Sequence, residues 1–321
     1  MKGSPEVSVV VATHDREERL ALLIDALRRQ SLAAARFEVV IVDDGSSDGT
    51  AALLQREQAR NGLALRSIAI ETAGGPAAAR NRGWQAASAP IIAFTDDDCV
   101  PTTDWLATLL AVATTDAAGD VIVQGQTLPR PEEMGDMSPF ARTLSVTGPS
   151  PHYETCNIAY PRALLERIGG FDERYPAPAG EDTDLGSRAI AADASLRFAP
   201  EALVHHAVHV RGPLAAMGDV KRAMEDVQAY KLHPELRQHL PQRVFYRRTH
   251  PLFLQAALAV LLGRRTPLAL AFALPYALNL RGRCRAVGAS PAKGVPFYVA
   301  YDGAEIVAVA RGAIRHRVPL I

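Results

Sequence analysis

The sequence predicts a doubly wound, mostly parallel α/β sheet followed by a helical C-terminal extension. Three observations carry that prediction. Short valine- and isoleucine-rich runs alternate with helix-period segments through the first part of the chain. Three of those runs end in polar, mostly acidic clusters, as strands do where a ligand crevice opens beyond their carboxyl ends. Past about residue 212 the strand pattern stops and uncharged stretches of helical character take over.

Residues 6–13 (EVSVVVAT) are almost continuously apolar, which suits a strand buried on both faces. Leu20, Leu23, Ile24 and Leu27 then recur at helical spacing, giving a helix with one apolar face. A second strand at 37–42 (FEVVIV) runs into Asp43-Asp44-Gly45-Ser46, and a helix follows over 51–61. A third strand covers 65–70, Gly74 to Pro76 break the chain, and an alanine-rich helix spans 77–88. The fourth strand, 90–95, ends in Asp96-Asp97-Asp98. Residues 121–124 form a further short strand, and the proline- and glycine-rich stretch 129–151 is a loop or lid. Trp84 and Trp105 fall in helices and belong to the core or an interface. These elements place residues 1–212 in one α/β domain and 213–321 in a helical region.

Composition excludes several classes. Of 321 residues 48% are hydrophobic and 22% charged, which rules out a disordered or collagenous chain. Cys99, Cys156 and Cys284 stand far apart, with no CxxC pair and no zinc spacing, which points to a reducing compartment and no structural metal. The N-terminus reads as a first strand, not as a signal peptide, and the chain is expected in the cytoplasm. No Gly-rich P-loop and no GxGxxG is present, so a Walker-type nucleotidase or a standard dinucleotide enzyme is unlike this sequence.

Three adjacent aspartates at the end of a buried strand repel one another unless a cation offsets them. Carboxylate oxygens are hard ligands, suited to Mg²⁺ or Mn²⁺ held jointly with substrate phosphates. The alternative is a solvated acidic turn that caps a helix. A DDGS turn alone is also ordinary, but three polar strand ends directed to one crevice are harder to explain as turn chemistry. Glu181-Asp182-Thr183-Asp184 opens another helix, whose dipole favours carboxylates at its N-terminus. Asp184 reads there as a helix cap more readily than Asp182 does.

The ordered segments SVVVATHDREERL, VVIVDDGSSDGT, GPAAARNRGWQAA and IIAFTDDDCVP resemble the family 2 glycosyltransferases of the GT-A fold. The resemblance continues through TCNIAYPRALLERIGGFDERYPAPAGEDTDLGSR and covers roughly residues 6–210. It implies a nucleotide-diphosphate sugar donor, inversion at the anomeric carbon, and Mn²⁺ or Mg²⁺ as cofactor. It assigns the nucleotide sugar to Thr13, His14, Asp15 and Arg16, to Asp43 and Asp44, to Arg80 and Asn81, and to Asp96 and Asp97. It makes Asp98 a direct metal ligand, with Asp96 facing ribose or metal and a histidine close by. His205 and His206 both fit that histidine, and His209 is near them in sequence. Asp182 matches the general base, with Glu181 beside it, and Asn157 and Asp184 fall on the acceptor side. The chemistry is coherent: a divalent cation neutralises a diphosphate leaving group, and a carboxylate opposite it takes the proton of the attacking hydroxyl.

The zero net charge hides an asymmetry. Residues 1–236 carry 22 Lys and Arg against 33 Asp and Glu, whereas 237–321 carry 13 against 2. Within that basic region Pro251 to Gly263 and Thr266 to Leu280 are uncharged, separated by Arg264 and Arg265 and followed by Arg281, Arg283 and Arg285. Neither run reaches the roughly 18 residues of a spanning helix. The pattern predicts a hairpin lying in an anionic membrane interface, with those arginines at phosphate level. It places the enzyme peripherally on the inner face of the cell membrane, acting on a glycan or lipid-linked acceptor rather than on nucleic acid. A soluble bundle or a homo-oligomer interface is the alternative use of the same residues. One long helix is expected over 214–240, broken at Pro234, and an amphipathic one over 295–310. Two other functions share such a sheet: a nucleotidyltransferase, which calls for a Gly- and Lys-bearing signature where this chain has His14-Asp15-Arg16, and a non-catalytic sugar-nucleotide-binding protein, which needs no second acidic motif.

Overall fold

The structure, a computed structural model, describes residues 4–115, 119–175 and 179–321. The chain divides into two compact units, Met1–Glu132 with Thr143–Ala207, and Glu133–Arg142 with Val208–Ile321. The division falls after Ala207 rather than near 212, and part of the proline-rich loop goes with the second unit.

In the first unit the order is β1 (Val7–Thr13), α1 (Glu17–Arg28), β2 (Phe37–Asp44), α2 (Thr50–Ala59), β3 (Leu65–Ile70), α3 (Pro76–Ala86) and β4 (Ile91–Thr95). Then come β5 (Cys99–Pro101), α4 (Trp105–Ala113), β6 (Val121–Pro129), β7 (Asn157–Pro161), α5 (Arg162–Ile168), α6 (Glu181–Ala191) and β8 (Ser195–His206). The strands form one sheet in the order β3-β2-β1-β4-β7-β6-β8-β5. The first four are parallel, with Thr13 beside Asp43 and Val10 beside Phe94. Strand β7 joins antiparallel to both β4 and β6, and β5 joins antiparallel to β8, so the sheet is mixed.

Alternation along β1 explains its unbroken valine run. Val9 and Val11 enter one buried cluster with Leu20, Leu23 and Leu27 of α1, while Val10 enters another with Ile92, Phe94 and Tyr160. Both faces of the sheet are therefore covered, as a doubly wound sheet requires. Parallel strands whose polar ends share a register bring β1, β2 and β4 to one crevice.

The second unit is helical: α7 (Pro213–Met217), α8 (Val220–Leu232), α9 (Thr249–Gly263), α10 (Leu274–Ala286) and α11 (Pro291–His316). The single helix expected over 214–240 is in fact split after Met217, where Gly218 and Asp219 intervene, and α8 ends at Leu232, two residues before Pro234. Helix α8 packs on α11 through Val227, Tyr230, Val309 and Ala313. Helices α9, α10 and α11 share Ala256, Tyr276, Leu280, Cys284 and Tyr298.

The only acids after Glu235 are buried here. Asp302 accepts from the Tyr276 hydroxyl at 2.8 Å and from Arg283 at 2.8 and 2.9 Å. Glu305 accepts from Arg247 at 2.7 Å and lies 3.2 Å from His250 Nε2. Arg283 is expected at a phosphate surface; the structure instead turns it onto buried Asp302 and over the Tyr298 ring, 3.9 Å from its centroid. No helix among the described residues is long and apolar enough to cross a membrane.

Candidate active site

The site lies in the first unit, at the carboxyl ends of β1, β2 and β4 and the start of α6. At the end of β1, the Thr13 hydroxyl donates to Asp97 Oδ2 at 2.8 Å. His14 Nδ1 lies 2.8 Å from the Asp44 carbonyl, and a carbonyl only accepts, so Nδ1 carries the proton. Asp15 sits at φ +52°, a left-handed conformation that Asp tolerates. Its carboxylate accepts from the Ser47 amide at 2.6 Å and the Asp48 amide at 3.2 Å, which holds it below the usual carboxylate range. The Arg16 amide donates to Thr50. These bonds tie the end of β1 to the turn after β2.

Asp43 and Asp44 shape that turn. Asp43 accepts from the Ser46 amide at 3.0 Å. Asp44 accepts from the amides of Gly74 and Gly75 at 2.8 and 2.9 Å, which fixes the start of α3. Helix α3 supplies Arg80 and Asn81, both buried. Asn81 donates to the Phe171 carbonyl and to Glu173, and accepts from Trp84 Nε1 and the Phe171 amide. Its side chain is thus committed on all sides to holding α3 against the segment before α6.

Arg80 joins the two acidic motifs. One guanidinium nitrogen donates to Asp96 Oδ1 and the other to Glu181 Oε1, each at 2.9 Å. The pairing holds Arg80 firmly protonated although it is buried. Glu181 Oε2 is buried with no partner in the structure. Burial pushes Glu181 upward against the pull of Arg80.

Gly180, at φ +87°, turns the chain into α6, whose first turn carries Glu181, Asp182 and Asp184. The Asp182 carboxylate accepts from the Thr183 amide at 2.8 Å. Burial, then Glu181 and Glu154, push Asp182 well above the usual range. Asp184 turns elsewhere. It pairs with Arg188 at 2.8 Å, and Arg188 donates onward to the carbonyls of Ile168 and Gly170. That arrangement ties α6 to the end of α5.

Burial followed by the charge of Asp98 lifts Asp97 to about 7. Strand alternation separates the two histidines of β8, because neighbours point to opposite faces. His206 Nε2 lies 3.6 Å from Asp98 Oδ1. Its Nδ1 is 2.9 Å from the Ala207 carbonyl, so the proton sits there and the Nε2 lone pair is directed to the acid. The separation is longer than a hydrogen bond. It suits two ligands of one cation, since atoms about 2.1 Å from a common ion stand roughly 3.0–3.6 Å apart. The residues therefore fit a divalent metal. His205 occupies the other face, and its Nδ1 is buried without a partner. His209 belongs to the second unit and exchanges backbone bonds with Arg142.

Asn157, expected to face the acceptor, points inward. It donates to the carbonyls of Gln126 and Ala202 at 2.7 and 2.8 Å and accepts from Trp105 Nε1 at 2.8 Å. This pins the irregularity between Gly125 and Thr127 where β6 meets β8. Gly125 is required there, because a Cβ would stand 2.3 Å from the Ala202 carbonyl and 2.4 Å from Asn157. Glu154 is the site residue that the sequence does not single out. It accepts from Gln124 at 2.9 Å and Ser150 at 2.8 Å, and its charge acts on Asp182. Its only signal was an acid inside an otherwise uninformative loop.

A sequence model described as Glycosyl transferase family 2 matches residues 8–169. Validoxylamine A glucosyltransferase of Streptomyces hygroscopicus subsp. limoneus is 29% identical over 217 residues, 57% of this chain and 48% of that protein. The chain thus spans about half the length of that relative, and 51% of its counterpart from subsp. jinggangensis. Succinoglycan biosynthesis protein ExoM of Rhizobium meliloti is 30% identical over 216 residues, 63% of this chain and 67% of that protein. Among solved structures, mannosyltransferase PcManGT from Pyrobaculum calidifontis, in complex with GDP-Man and Mn²⁺, superposes with a TM-score of 0.61 at 22% identity. That match covers 96% of this chain and 88% of the other. S. aureus TarS 1–349 in complex with UDP-GlcNAc gives 0.54 at 20% identity, covering 98% and 92%. At these identities the likeness speaks to the fold, a GT-A sheet with a helical C-terminal region.

Proposed function

The chain belongs to glycosyl transferase family 2, and from that membership we propose that it is a metal-dependent, inverting glycosyltransferase. It moves a sugar from a nucleotide-diphosphate sugar to a hydroxyl of a glycan or lipid-linked acceptor. The Arg80 bridge is the observation that carries this reading. It gathers Asp96 and Glu181, from motifs far apart in sequence, around one buried guanidinium. Structural ion pairs seldom draw two acids from such distant motifs onto one buried cation, whereas a site that binds a donor and accepts a proton does.

The nucleotide lies over the ends of β1 and β2, where Thr13, His14, Asp15, Arg16, Asp43 and Asp44 form the floor. Asp98 and His206 would hold the Mn²⁺ or Mg²⁺, with Asp96 and Asp97 adding negative charge beside them. Such a cation offsets the charge that builds on the leaving nucleoside diphosphate. A mixed carboxylate and imidazole set favours Mn²⁺, because Mg²⁺ prefers oxygen ligands throughout. Glu181 Oε2, buried and without a protein partner, is suited to accept from a sugar hydroxyl.

Asp182 acts as general base. The acceptor oxygen bonds to the anomeric carbon as the bond from that carbon to the phosphate oxygen breaks. The hydroxyl proton passes to Asp182, and the bonding electron pair leaves with the diphosphate. A single displacement of this kind inverts the anomeric centre. The raised proton affinity of Asp182 makes it a stronger base than an ordinary carboxylate.

The basic region 237–321 holds the enzyme on an anionic membrane, at the inner face of the cell membrane, where a lipid-linked acceptor is presented. The relative named for succinoglycan biosynthesis supports a glycan-building role.

Incubation with UDP-, GDP- and dTDP-sugars and Mn²⁺ tests the reading through slow release of free nucleoside diphosphate. One donor is expected to be hydrolysed, and chelation is expected to stop it. Asp98→Asn is expected to remove Mn²⁺-dependent donor binding in calorimetry. Asp182→Asn is expected to keep donor binding and lose transfer by about 10²–10⁴-fold. Normal turnover by the second variant would place the base elsewhere.

A further inference from the structure

We infer that the hairpin of α9 and α10 is an interfacial insertion element, seated on an anionic bilayer with its leucines among the acyl chains. The inference rests on the membrane reading above and deepens it by naming the surface and the way it binds.

Among the described residues, ten of the twenty large apolar side chains left exposed fall between Leu254 and Leu278. Leu254, Leu258 and Leu261 recur at helical spacing and form an outward stripe on α9. Leu268, Leu270 and Phe272 continue it through the short 3₁₀ segment, and Leu274 and Leu278 along α10. These side chains are not spare core. The inner face of the hairpin is already filled by Ala256, Ala259, Tyr276 and Leu280. Gln255 Nε2 fastens α9 to the connecting segment by donating to the Phe272 carbonyl at 2.9 Å. Exposed apolar patches on soluble chains rarely exceed a few hundred Å², and larger ones mark interaction surfaces.

Charge selects the occupant. From residue 236 to the end the only carboxylate side chains are Asp302 and Glu305, and both are buried against cations. The outer surface of this region therefore offers cations and apolar groups and no side-chain anion. Arg264 and Arg265 stand exposed at the turn, and Arg281 and Arg285 stand exposed along α10. A second copy of the chain seated on the same face would set cations against cations, whereas an anionic lipid surface matches them. Helix α9, with 15 residues, is about 22 Å long, short of the roughly 30 Å hydrocarbon core. It lies in the interface rather than crossing it.

Flotation of the full chain with vesicles of mixed phosphatidylglycerol and phosphatidylcholine, and with phosphatidylcholine alone, tests this. Binding is expected to the anionic vesicles, with about 0.5 M salt releasing only part of the protein, because screening removes the charge component alone. Replacing both Arg264 and Arg265 with Gln is expected to weaken binding about 25-fold at low salt, each arginine being worth about fivefold at an anionic surface. Leu258→Ser with Leu261→Ser, Leu268→Ser and Phe272→Ser is expected to remove the salt-resistant fraction, with unchanged circular dichroism and unchanged donor hydrolysis. Binding that salt fully reverses, and that the serine variant retains, would overturn the hairpin while leaving an electrostatic membrane contact through 237–321. No binding at all, with a stable dimer that the serine variant separates, would overturn both and assign the face to a second copy. The donor-hydrolysis readout is independent of either result.

Discussion

Asp182 and its neighbours set the acid–base behaviour of the site. Desolvation and the charges of Glu181 and Glu154 make ionising Asp182 costly, and Arg80 only partly offsets them. As the proposed general base, Asp182 must be ionised to act, so activity is expected to rise with pH through its pKa. Because that pKa is raised, the acidic limb of kcat/KM is expected above the usual carboxylate range. Removing one like charge lets Asp182 ionise more easily. Glu154→Gln is therefore expected to move the limb to lower pH, since the amide keeps the shape of the side chain without its charge. A pH–rate profile of the variant checks the sign, and an unmoved limb would detach Glu154 from the base. Arg80 has a different place in this set. Without it Glu181 and Asp96 lose their common partner, and breaking a buried ion pair from one side is far more damaging than never having had it.

The same residues show what the sequence could and could not convey. Acids at strand ends were visible because polar clusters after buried runs are rare. The choice between His205 and His206 depends on the register of β8, and the inward turn of Asn157 depends on an irregularity between β6 and β8; neither is local in sequence. Strand β7, only five residues long and antiparallel at the sheet's centre, has no periodicity of its own to announce it. The long parallel strands, by contrast, followed from their valine runs, since only two-sided burial explains them. Asn157 belongs to this element level. It holds three hydrogen bonds at a position 1% exposed, and together they lock the sheet where β6 and β8 part and rejoin. Asn157→Ala removes the partner of the buried Trp105 indole and Ala202 carbonyl, and of the partly exposed Gln126 carbonyl. Each of the two buried groups left so costs about 1–3 kcal/mol, so a loss of roughly 2–6 kcal/mol in unfolding free energy is expected. Denaturant titration measures it. A residue that only touched acceptor would leave stability unchanged and raise the acceptor KM.

At the scale of the whole molecule, a net charge of zero conceals two opposed halves. Residues 1–236 carry an excess of 11 acids and 237–321 an excess of 11 bases. The burial of Asp302 and Glu305 sharpens the contrast, since it removes the basic region's own acids from its surface. Two such molecules attract when the acidic part of one meets the basic part of the other, and nothing in the net charge opposes the approach. Such attraction is screened within a Debye length of about 10 Å at 0.1 M salt. Association through the leucines of α9 and α10 responds in the opposite way, because kosmotropic salts such as sulfate strengthen apolar contact. The sign of the salt effect therefore separates the two surfaces. In the absence of lipid, light scattering is expected to show self-association in low salt that falls as sodium chloride is raised to about 0.3 M. Addition of ammonium sulfate beyond that is expected to bring association back. The serine variant of the hairpin should keep the first phase and lose the second, whereas self-association that sodium chloride leaves untouched would argue that the charge asymmetry plays no part in it.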